Sequence, residues 1–253
     1  MGGLAPDPET SPRTGSTGAG AASSGRRAGG FRDRWRASRV VGAAALAALL
    51  ASACTTLSLS NVASIAHAIR AGDAEPTAEE VAAAPYYQLQ ASTAAGTAVL
   101  VLGNVDGSRE LWYGAPPTLL AIEHGRVVRT AGLEQNLDAL RPPDEDPFVR
   151  GLHRLDAPVS YRRVEDWSPG YRYGVAVDAR LSPAGVETVE ILGTPRRLLR
   201  IDERVESAAA GLAASNRYWV DPEDGFVWAS EQTVAPGQSI RLVQLRPYRG
   251  AGQ

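Results

Sequence analysis

The fold is decided by the stretch YRYGVAVDARL, residues 171–181. Every second residue from Tyr171 to Leu181 is apolar, whereas most of the residues between them are small or charged. Successive side chains of a β-strand point to opposite faces of the sheet, so this period of two predicts a strand with one buried and one solvated face. The following Ser-Pro-Ala-Gly, residues 182–185, predicts a turn into a second strand, residues 186–192, which would complete a hairpin.

The same pattern recurs on both sides of this stretch. Strands 98–102 and 110–113 are predicted to pair across residues 104–107, and strands 119–123 and 127–131 across His124-Gly125. Further strands are predicted at residues 197–205, 226–233 and 240–245. Short, regularly spaced strands predict a mainly β fold, either an antiparallel β-sandwich or an open barrel. After residue 85, one run, 133–140, could instead form a helix, and the acidic stretch 141–147 is interpreted as a solvated loop.

Short helices are expected before the sheet. Val62, Ile65, Ala66 and Ile69 recur with helical spacing, and Thr77 with Glu80 has the spacing of a capping box. Residues 54–84 are therefore predicted to form a helical and linking segment that ends at Pro85. The β domain is predicted to span residues 85–248, with a tail at 249–253.

The N-terminal region has the features of an export signal. Residues 1–30 are rich in Gly, Ser, Thr, Pro and Ala, which indicates a disordered segment or a start codon placed too far upstream. Four arginines between residues 32 and 39 then precede the uncharged run 40–53, which is shorter than the roughly 20 residues that cross a bilayer. The run ends in Ala-Ser-Ala-Cys, which resembles the lipobox of bacterial lipoproteins.

We therefore predict a lipoprotein signal peptide at residues 31–53, cleavage before Cys54 and lipid attachment to the Cys54 thiol. The lipobox prefers Leu where this chain has Ala51, so ordinary secretion with cleavage after Ala53 and a short buried helix both stay open. Thr55 after the cysteine favours the outer membrane in enteric-type sorting. The expected location is the outer membrane, facing the periplasm.

Charge and cysteine content exclude several classes. Residues 1–53 contain seven Arg and three acids, so residues 54–253 contain 26 − 7 = 19 basic and 28 − 3 = 25 acidic residues, a net charge of −6. A domain of this charge is not expected to bind nucleic acid. A single cysteine allows neither an intrachain disulfide nor a cysteine-rich metal site.

No motif of catalysis or cofactor binding is found. The three histidines, His67, His124 and His153, have no metal-ligand spacing, and His124 is interpreted as a turn residue. We expect no metal, no cofactor and no catalytic residue. A carboxylate pair for glycoside chemistry stays possible, but the pattern singles out no two of its candidates, which are Glu110, Glu123, Asp166, Asp178 and Glu231.

Aromatic residues crowd the β region, and core packing is their favoured role. If some of them instead line a ligand groove, the candidates for contact with a polymer or partner are Trp112, Trp219 and Trp228, together with Arg126 and Arg129. Alternation along strand 127–131 places Arg126 and Arg129 on opposite faces. Only one of the two arginines should therefore be structural, unless this strand lies at the edge of the sheet.

Several motifs carry a family resemblance. They are Pro-Tyr at 85–86, Leu-Val-Leu at 100–102, Leu-Trp at 111–112, GRVVRTAGL at 125–133, Asn-Leu at 136–137, NRYWVD at 216–221 and GFVWASEQ at 225–232. Together they resemble the YjbF family over most of residues 75–248. The resemblance implies a mostly antiparallel β-structure and a lipoprotein encoded with capsule or exopolysaccharide genes. The resemblance gives no catalytic activity that could be carried over to this chain.

The sequence and the resemblance together predict a non-enzymatic lipoprotein accessory to exopolysaccharide or capsule secretion and assembly. Its expected partners are the membrane through the lipid anchor, the exopolysaccharide and other proteins of the export operon. Two alternatives stay open. A cleft that joins Trp side chains to two carboxylates would favour an envelope enzyme, and an apolar cavity large enough for acyl chains would favour a lipid or lipoprotein carrier.

Overall fold

The computed structural model describes residues 75–115 and 117–250, which lie in one compact unit, 56–253. The predicted signal peptide, Cys54 and the predicted helix around residues 62–69 lie outside the described residues. Within the described part of the chain, no helix is both long enough and apolar enough to span a membrane.

The described chain begins with helix α1, Ala78–Ala83. Thr77 Oγ1 accepts a hydrogen bond from the Glu80 backbone N–H (3.2 Å), and Glu80 Oε2 accepts one from the Thr77 backbone N–H (2.9 Å). These reciprocal bonds satisfy N–H groups that a helix N-terminus leaves free. The predicted capping box is confirmed, and the helix ends before Pro85.

Twelve strands of the described chain follow α1. They are β1 Gln88–Thr93, β2 Gly96–Asp106, β3 Arg109–Gly114, β4 Thr118–Glu123, β5 Arg126–Ala131, β6 Asn136–Arg141, β7 Val159–Ser168, β8 Arg172–Ile191, β9 Thr194–Ser207, β10 Leu212–Val220, β11 Val227–Ala235 and β12 Gln238–Arg246. Between β6 and β7 lie helix α2, Pro147–Arg150, and a 3-10 turn, Leu152–Arg154; a second 3-10 turn, Ala208–Ala210, precedes β10.

All twelve strands form one antiparallel sheet in the order β5-β4-β3-β2-β1-β12-β11-β10-β9-β8-β7-β6. The two edge strands lie next to each other, and the Leu137 backbone N–H on β6 donates to Thr130 Oγ1 on β5 (2.9 Å). The sheet is thus nearly closed. The predicted mainly β fold is confirmed, and of the two predicted architectures the structure has the open barrel rather than the sandwich. Because the strands alternate in direction, the described chain begins and ends at one end of the sheet, which we call the basal end.

Both hairpins predicted before residue 132 are present. In the first, β2 pairs with β3 in the register Val101↔Tyr113, but its turn lies at Gly107-Ser108, later than expected. In the second, β4 pairs with β5 across His124-Gly125, and both turn residues have positive φ (50° and 80°). His124 is a turn residue, as interpreted from the sequence.

One prediction of local structure is wrong, and one alternative that the sequence left open is not found. Residues 182–185 do not form a turn. Strand β8 continues through them, with a register shift between Pro183 and Gly185. The chain reverses only at Leu192-Gly193. Proline cannot donate a hydrogen bond to the ladder, and a bulge lets the strand accommodate it. The long partner strand β9 therefore pairs with β8 on both sides of the bulge. Residues 133–140 form no helix, because Asn136–Arg141 instead pairs with β7 as strand β6.

The predicted buried face of the deciding stretch is correct only in its second half. Val177, Ala179 and Leu181 are buried, whereas Tyr171 and Tyr173 are 87% and 60% exposed. Tyr171 precedes β8 in the turn from β7, with a φ of 54°, so its side chain projects beyond the packed part of the sheet.

In the described part of the chain, the core has two interior clusters and one outer cluster. The larger interior cluster surrounds Trp112 and Trp167, and the smaller surrounds Tyr218 and Phe148. The outer cluster contains Trp219, which alternates with Tyr218 and therefore lies on the opposite face of β10.

Candidate functional site

A cleft of about 600 Å³ opens at the basal end of the sheet, and we call it the basal cleft. Its walls are the turns β2–β3, β4–β5 and β10–β11, the segment from α2 through the following 3-10 turn, and the chain after β12. The lining side chains that carry polar or aromatic groups include Glu110, His153, Asp224, Phe226, Gln244 and Tyr248.

Two glycines let these walls approach each other. Gly125 has a φ of 80° and lies against Val227, so a Cβ at residue 125 would collide with the Val227 side chain. Gly225, also with a φ of 80°, lies against the His153 imidazole in the same way. A larger residue at either position would be strained by its backbone angle and would push the loops apart.

Two buried polar atoms in the cleft wall have no hydrogen-bond partner among the described residues. They are Gln244 Oε1 and His153 Nδ1. Arg154 Nε donates to His153 Nε2 (3.3 Å), so Nε2 acts as an acceptor of this imidazole. His153 Nδ1 lies against Gly225, whereas Gln244 belongs to the lining and supplies a hydrogen-bond acceptor.

Glu110 lies in the same cleft and is half-buried. Its Oε2 accepts a hydrogen bond from Trp112 Nε1 (2.9 Å). Burial raises the pKa of the Glu110 carboxyl, and the hydrogen bond from Trp112 only partly opposes this rise. A carboxyl with a raised pKa in a cleft can hold a proton closer to neutral pH than an exposed glutamate can.

The cleft lining carries three cations, Arg150, Arg154 and Arg249, and two carboxylates, Glu110 and Asp224. Arg249 pairs with Asp224 and lies over the Phe226 ring at 4.2 Å. Arg150 pairs with Glu145. Among the described carboxylates, none forms an ion pair with Arg154, so this guanidinium stays available at the cleft.

A buried charge cluster lies in the barrel interior, centred on Glu203. Its carboxylate accepts hydrogen bonds from Arg163 Nη1 (2.6 Å), Asn216 Nδ2 (2.7 Å), Tyr161 Oη and Tyr218 Oη (3.1 Å). Burial opposes ionisation, but Arg163 and these hydrogen bonds outweigh it and hold the pKa of Glu203 below its usual 4.5. Glu165 pairs with the other side of Arg163 (2.5 Å). These buried charges are therefore paired, as a low-dielectric interior requires.

Arg126 forms a second buried ion pair, which joins the sheet to α2. Its guanidinium contacts both carboxylate oxygens of Asp146 (2.5 and 3.2 Å) and lies over the Phe148 ring at 4.3 Å. Asp146 also caps α2 by accepting from the Phe148 backbone N–H (3.1 Å). The interpretation of residues 141–147 as a solvated loop is thus wrong for Asp146, because the buried Arg126 needs a counterion.

The predicted contact residues do not gather in one place. Trp112 and Arg126 are buried in the interior, whereas Arg129 is exposed on β5. Trp219 and Trp228 meet in the outer cluster, where Arg196 covers the Trp228 ring at 3.6 Å. Polymer contact by these five residues stays a prediction.

The five candidate carboxylates are also dispersed. Glu110 lines the basal cleft. The others form surface ion pairs: Glu123 with Arg109, Asp166 with Arg141, Asp178 with Arg162, and Glu231 with Arg217 and Arg241. Hydrogen bonds from Arg141 and from the Gly174 backbone lower the pKa of Asp166 to about 2. In residues 75–115 and 117–250, no three His, Cys, Asp or Glu side chains are placed to hold a metal ion.

Sequence reasoning named Glu110 and His153 but did not place them in one cleft, and it missed helix α2 and Gln244. Asp146-Pro147 carries the signal of a helix start, an N-cap residue followed by proline, and could have placed α2 before His153. Gln244 gives no comparable signal, since a lone glutamine in a predicted strand resembles any solvated position.

Comparison with known proteins gives matches that extend over most of the sheet. A family model described as "Group 4 capsule polysaccharide lipoprotein gfcB, YjbF" matches residues 47–245. The uncharacterized lipoprotein GfcB of Escherichia coli (strain K12) is 26% identical over 67% of this chain and 80% of its own length. The uncharacterized lipoprotein YjbF of the same strain is 30% identical over 53% of this chain and 61% of its own length.

A crystal structure of the hypothetical lipoprotein YmcC from Escherichia coli (K12) has the same fold. It superposes with a TM-score of 0.62, covers 70% of this chain and 92% of its own, and is 24% identical. The family match spans 199 of 253 residues (245 − 47 + 1) and almost the whole sheet. The chain belongs to the YjbF family, the group 4 capsule polysaccharide lipoproteins.

Proposed function

We propose that this chain is a non-enzymatic outer-membrane lipoprotein that assists the secretion or assembly of a capsular or exopolysaccharide. One observation carries the proposal: the match to a family of capsule polysaccharide lipoproteins extends over residues 47–245. In this proposal, lipid on Cys54 holds the protein on the periplasmic side of the outer membrane. Its partners are the polymer and other proteins of the export operon.

Two features of the geometry bear on the alternatives. The void beside Leu89 and Leu242 measures about 10 Å³, which leaves no room for an acyl chain at that point of the interior. Of the five candidate carboxylates, Glu110 alone lines the cleft, and the other carboxylate of the lining, Asp224, is paired with Arg249, which weighs against a carboxylate-pair enzyme.

Deletion of the gene tests the proposal. We expect surface or secreted polysaccharide to fall while sugar-nucleotide pools are maintained, because export rather than synthesis would fail. The wild-type gene should restore the polymer. Cys54→Ala should restore it poorly, since loss of the tether lowers the effective concentration at the membrane. A normal polymer level in the deletion strain, with the operon expressed, would contradict the proposal.

A second function, modification of the polysaccharide, is favoured by one observation. Glu110 is a carboxyl with a raised pKa inside a cleft, which is the environment of many general acids. Glu110→Gln keeps an acceptor for Trp112 but cannot transfer a proton. Glu123→Gln, on the next strand and outside the cleft, is the matched control. Loss of polymer in the Glu110 variant alone, with an unchanged circular dichroism spectrum, would favour the enzyme.

A further inference from the structure

We infer that the basal cleft is a binding site for a short segment of polysaccharide that carries an acidic sugar. The inference rests on the proposed function for the kind of ligand. The position and chemistry of the site come from the cleft itself.

The size of the cleft is suitable for a short oligosaccharide. Its volume of about 600 Å³ lies within the range of roughly 300–1,000 Å³ that is typical of small-ligand sites. Tyr248 supplies aromatic surface in the lining, against which a sugar ring can pack.

Hydrogen bonding also favours a sugar. Gln244 is 7% exposed, and its Oε1 has no partner among the described residues. An unpaired buried polar atom is costly, and a ligand that pairs it recovers this cost. A sugar hydroxyl can donate to the Gln244 oxygen.

Charge favours an acidic sugar at one point of the cleft. The lining has three arginines, Arg150, Arg154 and Arg249, and two carboxylates, Glu110 and Asp224. Asp224 is already paired with Arg249, and Arg150 with Glu145. Arg154 remains as the guanidinium that can bind a ligand carboxylate with two parallel hydrogen bonds.

The test uses the full chain, purified in detergent, and the strain's own extracellular polysaccharide. Partial acid hydrolysis gives short oligosaccharides, and anion exchange separates them into acidic and neutral pools. Calorimetry of each pool should show that the acidic pool binds at least tenfold more tightly. This preference should weaken as salt rises, because added ions screen the contact with the exposed Arg154.

Two cleft variants and one control separate binding from folding. Arg154→Ala should weaken binding of the acidic pool about tenfold, in line with a lost charge-assisted hydrogen bond. Gln244→Leu should also weaken binding, yet keep or raise the melting temperature, because it removes an unpaired buried amide. Arg217→Ala, an exposed arginine of the outer face, should change neither quantity.

The outcomes are distinct from those of the proposed function. Absence of binding, equal binding of the two pools, or binding that both cleft variants leave unchanged would each overturn the inference. If the deletion strain still loses its polymer in that case, the accessory function stands and only the cleft is wrong. If the acidic pool binds as expected while the deletion strain exports normally, the site is real and the accessory function falls.

Discussion

Arg126 and Arg129 are three residues apart on β5, and the protein uses them differently. Arg126 is 2% exposed and paired with Asp146, whereas Arg129 is exposed. Strict alternation along a regular strand would put the two residues on opposite faces. The β4–β5 ladder shifts register between them, so both Val127 and Val128 are buried and the difference between the arginines comes from the Asp146 partner of Arg126 rather than from alternation.

Arg126→Ala should destabilise the fold by about 3–5 kcal/mol, because it leaves the Asp146 carboxylate buried without its partner. Arg129→Ala should change the free energy of unfolding by no more than about 0.5 kcal/mol, as expected for an exposed residue without structural contacts. Urea unfolding of both variants measures the difference. Equal effects would show that the Arg126–Asp146 pair does not hold the sheet to α2.

Glu203 makes the free energy of unfolding depend on pH in the acidic range. Its pKa in the folded protein lies below the ordinary value of 4.5, so the ionised carboxylate stabilises the folded state above pH 4.5. The free energy of unfolding should fall as the pH decreases from 4.5 through the folded-state pKa. Glu203→Gln should lower stability at neutral pH and flatten this acid-dependent loss. Urea unfolding between about pH 7 and pH 3 measures both effects, with Glu223→Gln on the surface as control.

At the scale of elements, side-chain hydrogen bonds join two hairpins that are far apart in sequence, β4–β5 and β11–β12. The Gln232 side chain on β11 accepts a hydrogen bond from the Val127 N–H (2.9 Å) and donates one to the Gly125 carbonyl (3.0 Å), at the start of β5. The motifs at 125–133 and 225–232 therefore meet through the barrel interior. Their first role is to fix the edge strand β5 against β11.

Gly125→Ala and Gly107→Ala test this contact as a matched pair. Both glycines occupy tight turns with positive φ, but a Cβ at Gly107 would meet open space, whereas one at Gly125 would meet Val227. Gly107→Ala should cost about 1 kcal/mol from the backbone alone. Gly125→Ala should cost roughly 1–3 kcal/mol more, from the forced contact. Thermal unfolding that ranks the two variants equally would show that the β4–β5 turn is not packed on β11.

A local turn could be predicted from the sequence where turn residues lie between two recognisable strands. His124-Gly125 supplies two residues that tolerate positive φ between two short apolar strands, so the hairpin was predictable. Pro183 and Gly185 carry a similar signal, yet they form a bulge, because the choice depends on how far the partner strand β9 extends. The pairing of Gln232 with Gly125 spans 107 residues and has no local signature.

At the scale of the whole molecule, the period of two in the sequence was sufficient to predict the fold class but not the residues that form the basal cleft. The period of two indicated an antiparallel sheet, and one such sheet contains all twelve strands. The cleft combines five separate segments of the chain, so its composition follows from closure of the sheet rather than from any single motif. For the same reason, Glu203 and Arg163 resemble solvated strand residues in the sequence although both are buried.

The lipid anchor is also tested on the whole molecule. Cys54→Ala should abolish labelling by radioactive palmitate and release the protein into the periplasmic fraction, because the thiol is the predicted site of acylation. Cys54→Ser, which keeps a small polar side chain at the cleavage site, is the matched control for altered processing and should be equally unlabelled. Undiminished labelling of both variants would mean that the membrane attachment lies elsewhere.

The two ends of the described chain lie together at the basal end. Arg246 donates to the Ala84 carbonyl, and the Tyr87 and Tyr248 rings meet edge to face at 5.2 Å. Gly250, which lines the basal cleft, is three residues from the C-terminus. An affinity tag or fluorescent reporter joined directly after Gly250 would therefore start beside the cleft and compete for its space. The turns at Gly211 and Gly237 lie at the opposite end of the sheet, and an epitope inserted there would leave the cleft accessible.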